Sequence, residues 1–307
     1  MAHDTAGDPM TGLRWTHKTT EKIRRQLRSV GINVSRSTIA RLLKQQGYSL
    51  RVNHKQLARG DHEQRDRQFQ YIKRLRKSFT ESNRPIVSVD TKKKELVGLF
   101  KNPGAAWDKE PIKVNDHDFR SEGKGMAVPY GVLDLRANRG HVSVGVSHDT
   151  SKFAVHAVAT WWARAGRMCY PQADHVLILA DNAGSNGSRI RAWKIELQTE
   201  ICDRFNVSVT VCHYPPGTSK WNPIEHRLFS EISKNWAGRP LDSYETVLNQ
   251  LRSTRTKTGL RVKATLDRRS YQTGRKITAA DMAVLHLKPH RTLPAWNYTL
   301  TPASASA

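Results

Sequence analysis

Three acidic residues in this sequence stand where metal-assisted chemistry on an oxygen-rich substrate could be done. Asp90 closes the run RPIVSVD, Asp181 closes HVLILAD, and Glu225 follows Asn222-Pro223-Ile224 in the segment HYPPGTSKWNPIEH. Carboxylate oxygens suit a hard divalent cation, and Mg²⁺ takes only a few of them, leaving room for water or phosphate oxygens. Two such ions ~3.5–4 Å apart activate an attacking oxygen and stabilise a leaving one. Each acid also has a simpler use. Asp90 could hold the lysines at positions 92 to 94, and Asp181 could cap the NAGSNG turn. Glu225 sits at the third position of a helix that Asn222 caps and Pro223 opens, which is close to a capping box. Spacing alone leaves both uses open for all three.

The elements that must position these acids are legible in outline. RPIVSVD, VPYGVLDL and HVSVGV read as strands, the last two joined by the turn RANRG. Between Asp90 and Val128 lies a Lys-, Gly- and Asp-rich stretch with the look of a long insertion or extended hairpin. Ala154, Ala157, Val158 and Trp161 mark a helix, HVLILAD a buried strand, and Ile190, Trp193, Leu197 and Ile201 a second helix. VSVTVCH is a further strand, and a third helix starts at Pro223. Three strands followed by alternating helices and strands predict an α/β fold, a mixed sheet covered by helices. That order matches the ribonuclease H-like fold, in which the first and fourth strands are neighbours. Asp90 and Asp181 would then face each other, and the third helix would bring Glu225 to the same place.

The N-terminal part reads differently. Ile23, Leu27 and Val30 repeat at helical spacing up to Gly31, and Ser35 caps a second helix bearing Ile39, Leu42 and Leu43 that ends at Gly47. The exposed face of that second helix carries Arg36, Ser37, Arg41, Lys44 and Gln45, residue types that suit phosphates and base edges in a major groove. This is a helix-turn-helix pattern, although an ordinary helical hairpin with a basic solvated face has the same spacing. The expected organisation is a helix-turn-helix module at 1–55, a linker helix at 56–82 with Phe69, Ile72, Leu75 and Phe79 on one side, a catalytic domain at 83–240 and a C-terminal extension at 241–307. Helices are expected near Tyr244–Leu251 and Ala279–His286, and the final TPASASA has a disordered composition.

Bulk properties narrow the partners. The chain has 307 residues and a net charge of +24, from 51 Lys and Arg against 27 Asp and Glu. Such an excess attracts polyanions, with nucleic acid the leading partner. The basic residues are spread along the whole chain, and no apolar run reaches membrane-spanning length, so no membrane role is expected. The three cysteines, Cys169, Cys202 and Cys212, form no CxxC pair, which argues against a zinc site or a disulfide framework. His286 and His290 fall at HxxxH spacing, but Pro289 between them argues against a helical ligand pair.

The segments VSVDTKKKELVG, LILADNAGSNG and CHYPPGTSKWNPIEHRLFSEIS closely resemble the ISAzo-type family of bacterial insertion-sequence DDE transposases. GRPL, TGL and the terminal WNYTL fit as well, so the likeness runs from about Leu13 to Leu300. NPIE also resembles the last catalytic segment of the wider mariner-like transposases. The resemblance implies that Asp90, Asp181 and Glu225 are the catalytic acids and the ligands of two Mg²⁺ ions, with Mn²⁺ as a substitute. Gly217, Thr218 and Ser219 would let their loop approach the scissile phosphate, and Lys220 and His226 would contact phosphate. The resemblance further implies cleavage at element ends, joining of the 3′-OH to target DNA, a homo-oligomeric synaptic assembly and a cytoplasmic, nucleoid-associated protein. Two other functions remain open at this stage. One is a ribonuclease H-like nuclease that only hydrolyses, and the other is a non-enzymatic DNA-binding remnant of a decayed element.

Overall fold

The computed structural model describes residues 5–7, 14–16, 18–49 and 62–303. The chain divides into two compact units, Met1–Leu57 and Ala58–Ala307.

The first unit contains a short antiparallel pair, β1 (Thr5–Gly7) and β2 (Arg14–Thr16), and two helices, α1 (Thr20–Ser29) and α2 (Arg36–Gln45). Thr19 and Ser35 cap the helices by accepting from Lys22 and Thr38 N–H. Both helices end on a glycine with φ near +80°: Gly31 at +85° and Gly47 at +81°. The following N–H of Ile32 and Tyr48 returns to the Leu27 and Leu43 carbonyls, a closure that favours glycine at the turn. Ile23 and Ile39 are buried, as the periodicity predicts, but Val30 is 71% exposed and Leu42 43% exposed. The apolar stripe is therefore narrower than the spacing suggests.

The second unit begins with α3 (His62–Glu81) and is built on a nine-stranded sheet. In chain order follow β3 (Ile86–Thr91), β4 (Glu95–Val97), β5 (Gly125–Asp134), β6 (Arg139–Gly145), α4 (Ser151–Trp161), a π-helical turn and α5 (Arg167–Cys169). Then come β7 (His175–Ala180), α6 (Arg191–Leu197), β8 (Ser208–His213), a helical segment from Pro223 that leads into α7 (Ser230–Asn235), and α8 (Tyr244–Ser253). The chain ends with β9 (Arg261–Asp267), α9 (Ala279–Ala283), β10 (Leu287–Pro289) and β11 (Asn297–Leu300). The strand order is β10-β11-β8-β7-β3-β5-β6-β9, with β4 paired to β5. β3 pairs antiparallel with β5 and parallel with β7, and β7 pairs parallel with β8. This is the expected ribonuclease H-like centre, with the first and fourth strands of the meander-and-crossover order side by side.

Packing explains the sequence pattern. β7 reads His-Val-Leu-Ile-Leu-Ala because a central parallel strand is covered on both faces. On one face α4 and α6 cover Val87, Val89, Tyr130, Val132 and Ile178. On the other, Ile224, Leu228, Phe229, α7 and α8 cover Leu133, Val142, Val144, Val262 and Ala264. α3 lies on Ile86, Leu177, Leu179 and Cys212 through Ile72 and Phe79, so within this unit it packs on the sheet.

Residues 241–307 are not a separate extension. β9 adds to β6 and β11 to β8, extending the sheet at both edges. The stretch after Asp90 is part hairpin: β4 pairs β5, and Asn102 donates to the Trp236 and Arg239 carbonyls. Of the terminal TPASASA, Ala303 donates its N–H to Asp203, and residues 304–307 lie outside the described residues. Among the described residues, no helix is long and apolar enough to cross a membrane. Cys169, Cys202 and Cys212 are free thiols.

Candidate active site

Sheet register brings the first two acids together. Val89 pairs with Ala180 across the parallel strands β3 and β7, and Asp90 and Asp181 are the next residues on each. Neighbouring strands run ~4.8 Å apart, so the two acids leave the sheet side by side. Asp90 accepts the Thr91 N–H at 2.8 Å, and Asp181 accepts the Asn182 N–H at 2.7 Å. Other residues share in the simpler uses of these acids. Lys92 Nζ goes to Glu95 at 3.1 Å, not to Asp90. The turn after Asp181 is tied by Ser188 to Asn182 and by Ser151 to the Ser185 carbonyl.

Glu225 is set by a different device from the expected cap. The Asn222 N–H goes to the Ser219 carbonyl at 2.8 Å, so no capping box forms. The Asn222 side chain instead reaches β3: it accepts from Ser88 Oγ and donates to the Val89 carbonyl at 3.2 Å. Ser88 Oγ also accepts the Ile224 N–H at 3.0 Å. The start of the helix is thus fastened to the strand that carries Asp90. Gly131, which pairs with Asp90, makes the approach possible, because a Cβ there would lie 2.7 Å from Phe229 and 2.8 Å from Ile224. Glu225 opens a π-helical turn, Glu225–Phe229, a form that recurs at functional sites.

The three carboxyls perturb one another. Asp90 is pushed up to about 8, first by burial and then by the charges of Asp181, Glu225 and Asp149, against the pull of the Thr91 N–H. Glu225 is raised by burial and by Asp181, opposed by Lys92 and by a hydrogen bond from Asp90. Asp181 is raised by burial, opposed by the Asn182 N–H. Burial therefore favours the neutral form of Asp90 until a positive charge joins it. Among the described residues, no three His, Cys, Asp or Glu side chains stand grouped closely enough to hold a metal ion as placed. The donor chemistry nevertheless fits a hard cation. The three groups are all carboxyls, none of them is in an ion pair among the described residues, and burial disfavours their ionisation until a positive charge joins them. Glu225 also lines a cleft of about 440 Å³ with Lys92, Lys93, Ser230 and Trp236, open to a substrate.

The sequence matches the model of the Rhodopirellula transposase DDE domain over residues 1–302. The chain belongs to this DDE transposase family. No curated protein matches it. Among solved structures it is similar to a Mos1 transposase paired-end complex with the left transposon end, at 18% identity and a TM-score of 0.46, covering 76% of this chain and 65% of that one. It is also similar to a mariner Mos1 paired-end complex with Mg, at 18% identity and a TM-score of 0.45, with the same coverage. A pre-cleavage Mos1 transpososome matches at 17% identity and a TM-score of 0.45, covering 76% of this chain and 66% of that one. The chain thus spans just under two thirds of the length of these solved chains.

The other expected contact residues of this transposase-family chain are placed as follows. Lys220 is exposed, with its ammonium 5.6 Å from the centre of the Trp221 ring. His226 is exposed beside Glu225. Gly217 has φ +73° with open space around it, whereas Thr218 is fully buried and donates to the Pro215 carbonyl at 2.6 Å. In the N-terminal unit, Arg36, Ser37, Arg41, Lys44 and Gln45 are all exposed on α2.

Sequence reasoning missed three contributors. Asp149 accepts from Thr91 Oγ1 at 3.2 Å and adds its charge to the field at Asp90. Its place in the loop between β6 and α4 gave no strand end to mark it. Ser88 gave no signal, being one small residue inside a buried strand. His213, fully buried at the end of β8, has Nδ1 2.9 Å from the Asp181 carbonyl, and burial pushes its imidazole down to about 4. The ring is neutral at physiological pH, so Nδ1–H donates and holds the backbone at Asp181.

Proposed function

We propose that this chain is a metal-dependent transposase that cuts DNA at the ends of its element and joins the freed 3′-OH to target DNA. The observation that carries the reading is the register of Asp90 and Asp181 on adjacent parallel strands, with the start of the Glu225 helix fastened to the strand of Asp90 through Ser88 and Asn222. Asp90, Asp181 and Glu225 would hold two divalent cations, Mg²⁺ or Mn²⁺ in its place. Bound there, the cations supply Lewis-acid activation of an attacking oxygen and charge stabilisation of the leaving one. The protein's part is positioning. Burial raises the Asp90 carboxyl, so it would lose its proton to solvent if a cation were bound there. Ser88, Asn222 and Gly131 hold Glu225 against β3, and His213 holds the backbone at Asp181. Lys220 and His226 contact the DNA backbone beside the cut, and α2 reads the element's ends from the N-terminal unit. Two ends must be brought together, so the working form is a homo-oligomer.

The test uses a supercoiled plasmid carrying the genomic DNA that flanks the reading frame. Mg²⁺-dependent nicking at the element's ends, and joining of pre-cut ends to a second plasmid, are expected. Nicking without joining would leave a hydrolytic nuclease, and neither activity would leave a DNA-binding remnant.

A further inference from the structure

A second basic surface lies away from the carboxylates, at the sheet edge formed by β6 and β9. Parallel pairing sets Arg139 opposite Arg261, His141 opposite Lys263, and Ser143 opposite Thr265. The alternate residues Val142, Val262 and Ala264 enter the core on the α7–α8 side, so these three rows share the face on the α4 side. α4 leaves part of that face uncovered. A cleft of about 340 Å³ remains, lined by His141, Ser143, Thr160, Arg164, Arg252 and Lys263.

The charge arrangement is one that folding alone disfavours. Like charges set opposite each other across paired strands destabilise a sheet. Here Arg139 faces Arg261, with exposed Lys263 and Arg164 beside them. Among the described residues, the ion pairs around this face are Arg252 with Glu245 at 4.0 Å and Arg269 with Asp267 at 2.8 Å; neither takes up Arg164, Arg261, Lys263 or Arg139, which donates to the Gly259 carbonyl at 2.8 Å. Burial and the Lys263 charge push the His141 imidazole down to about 4, so it stands neutral as a hydrogen-bonding group among cations. The cleft is lined in part by β9, the last strand of the sheet order, and its exposed cations suit a polyanion. Asp90 belongs to the row Asp90–Gly131–Val142, whose side chains alternate to the other face of the sheet.

We propose that the β6–β9 edge face is a second DNA-backbone surface, which takes duplex lying away from the phosphate being cut. The inference rests on the DNA-processing function proposed above. Arg164, Arg261 and Lys263 neutralise phosphates, and His141, Ser143 and Thr265 hydrogen-bond their oxygens. No base edge is read, so the contact is independent of sequence.

The test uses the full chain without metal and a random duplex of about 40 bp, with binding followed by fluorescence anisotropy between about 50 and 200 mM salt. The variant Arg164→Gln/Arg261→Gln/Lys263→Gln should lower the slope of log affinity against log salt by about 3 and the affinity by about 10-fold or more. Its melting temperature should not fall, because like-charge crowding is relieved. Lys263→Gln alone, an exposed single change, should lower the slope by about 1, and Lys263→Arg should leave it intact. A wild-type protein that binds duplex, with variants of unchanged slope, overturns the inference and leaves the proposed function standing. A variant that shifts the oligomeric state without DNA, at unchanged DNA affinity, makes this face a protein interface and also overturns it. A wild-type protein that binds no duplex removes the proposed function itself.

Discussion

Ser88 Oγ donates to Asn222 Oδ1 and accepts the Ile224 N–H at 3.0 Å, so a single hydroxyl joins the strand of Asp90 to the helix of Glu225. All three residues are buried. Ser88→Ala leaves the Ile224 N–H and one Asn222 acceptor unpaired, at a cost of ~1–3 kcal/mol. The melting temperature should drop by several degrees. The stabilisation conferred by Mn²⁺ should shrink as well, because Glu225 loses its anchor. A variant that melts early but keeps the full Mn²⁺ shift would show that the hydroxyl serves the core alone.

Asp181→Asn separates a metal site from a turn. The charge of Asp181 adds to the field at Asp90 and at Glu225, and each of the three carboxyls is raised by burial. Removing one should leave the metal-free protein as stable as wild type or more so, by ~0.5–1 kcal/mol for a partly solvated charge pair. Nicking and joining should be lost, and the thermal shift given by Mg²⁺ or Mn²⁺ should shrink. Asn would serve a turn nearly as well as Asp. Retained activity with an unchanged metal shift would therefore remove Asp181 from the site.

The pH dependence of the metal-free protein follows from Asp90. Its carboxyl stands at about 8 in the folded chain against the ordinary 3.8. Between those values the folded state holds more protons than the unfolded one, so stability falls as pH rises. The favourable contribution is full below pH ~3.8 and is lost as pH climbs through about 8. Melting temperature between about pH 5 and 8 should decline more steeply for wild type than for Asp90→Asn, which has no proton to lose there. Mn²⁺ affinity should rise over the same range, because the cation competes with the proton on Asp90. Parallel pH profiles for the two proteins would contradict the assignment.

The central sheet was legible because period and burial agree there. RPIVSVD and HVLILAD are apolar runs bounded by polar turns, and a parallel centre needs that composition. The sequence also supplied the pairing of Asp90 with Asp181, since both end strands that the fold order makes neighbours. The edges were not legible. β9 reads Arg-Val-Lys-Ala-Thr-Leu-Asp, an alternation that only a partner strand turns into structure, and β11 is four residues long. Asn222 misled for a physical reason: the cap motif is local, whereas its amide is used by Ser88 and Val89, more than 130 residues away. Asp149 lies in the loop between β6 and α4, and only Thr91, 58 residues away in the chain, ties it to Asp90.

The division at Leu57 makes a final prediction about recognition. α1 and α2 close their own ends with Gly31 and Gly47 and bury Ile23 and Ile39 in their own unit. α3, by contrast, belongs to the second unit through Ile72 and Phe79. Deleting residues 1–57 therefore removes no strand of the nine-stranded sheet and none of the three acids. The remaining protein should unfold cooperatively and keep its Mn²⁺ shift. It should bind random duplex with a reduced salt slope, because the cations of α2 are gone while those on the sheet edge remain. What it should lose is preference for the element's ends, since Arg36, Ser37, Arg41, Lys44 and Gln45 are the exposed side chains proposed to read them. Competition binding between terminal and random duplexes, for the full and shortened chains, decides the matter. A shortened chain that still selects terminal DNA would move sequence reading off α2 and onto the catalytic unit.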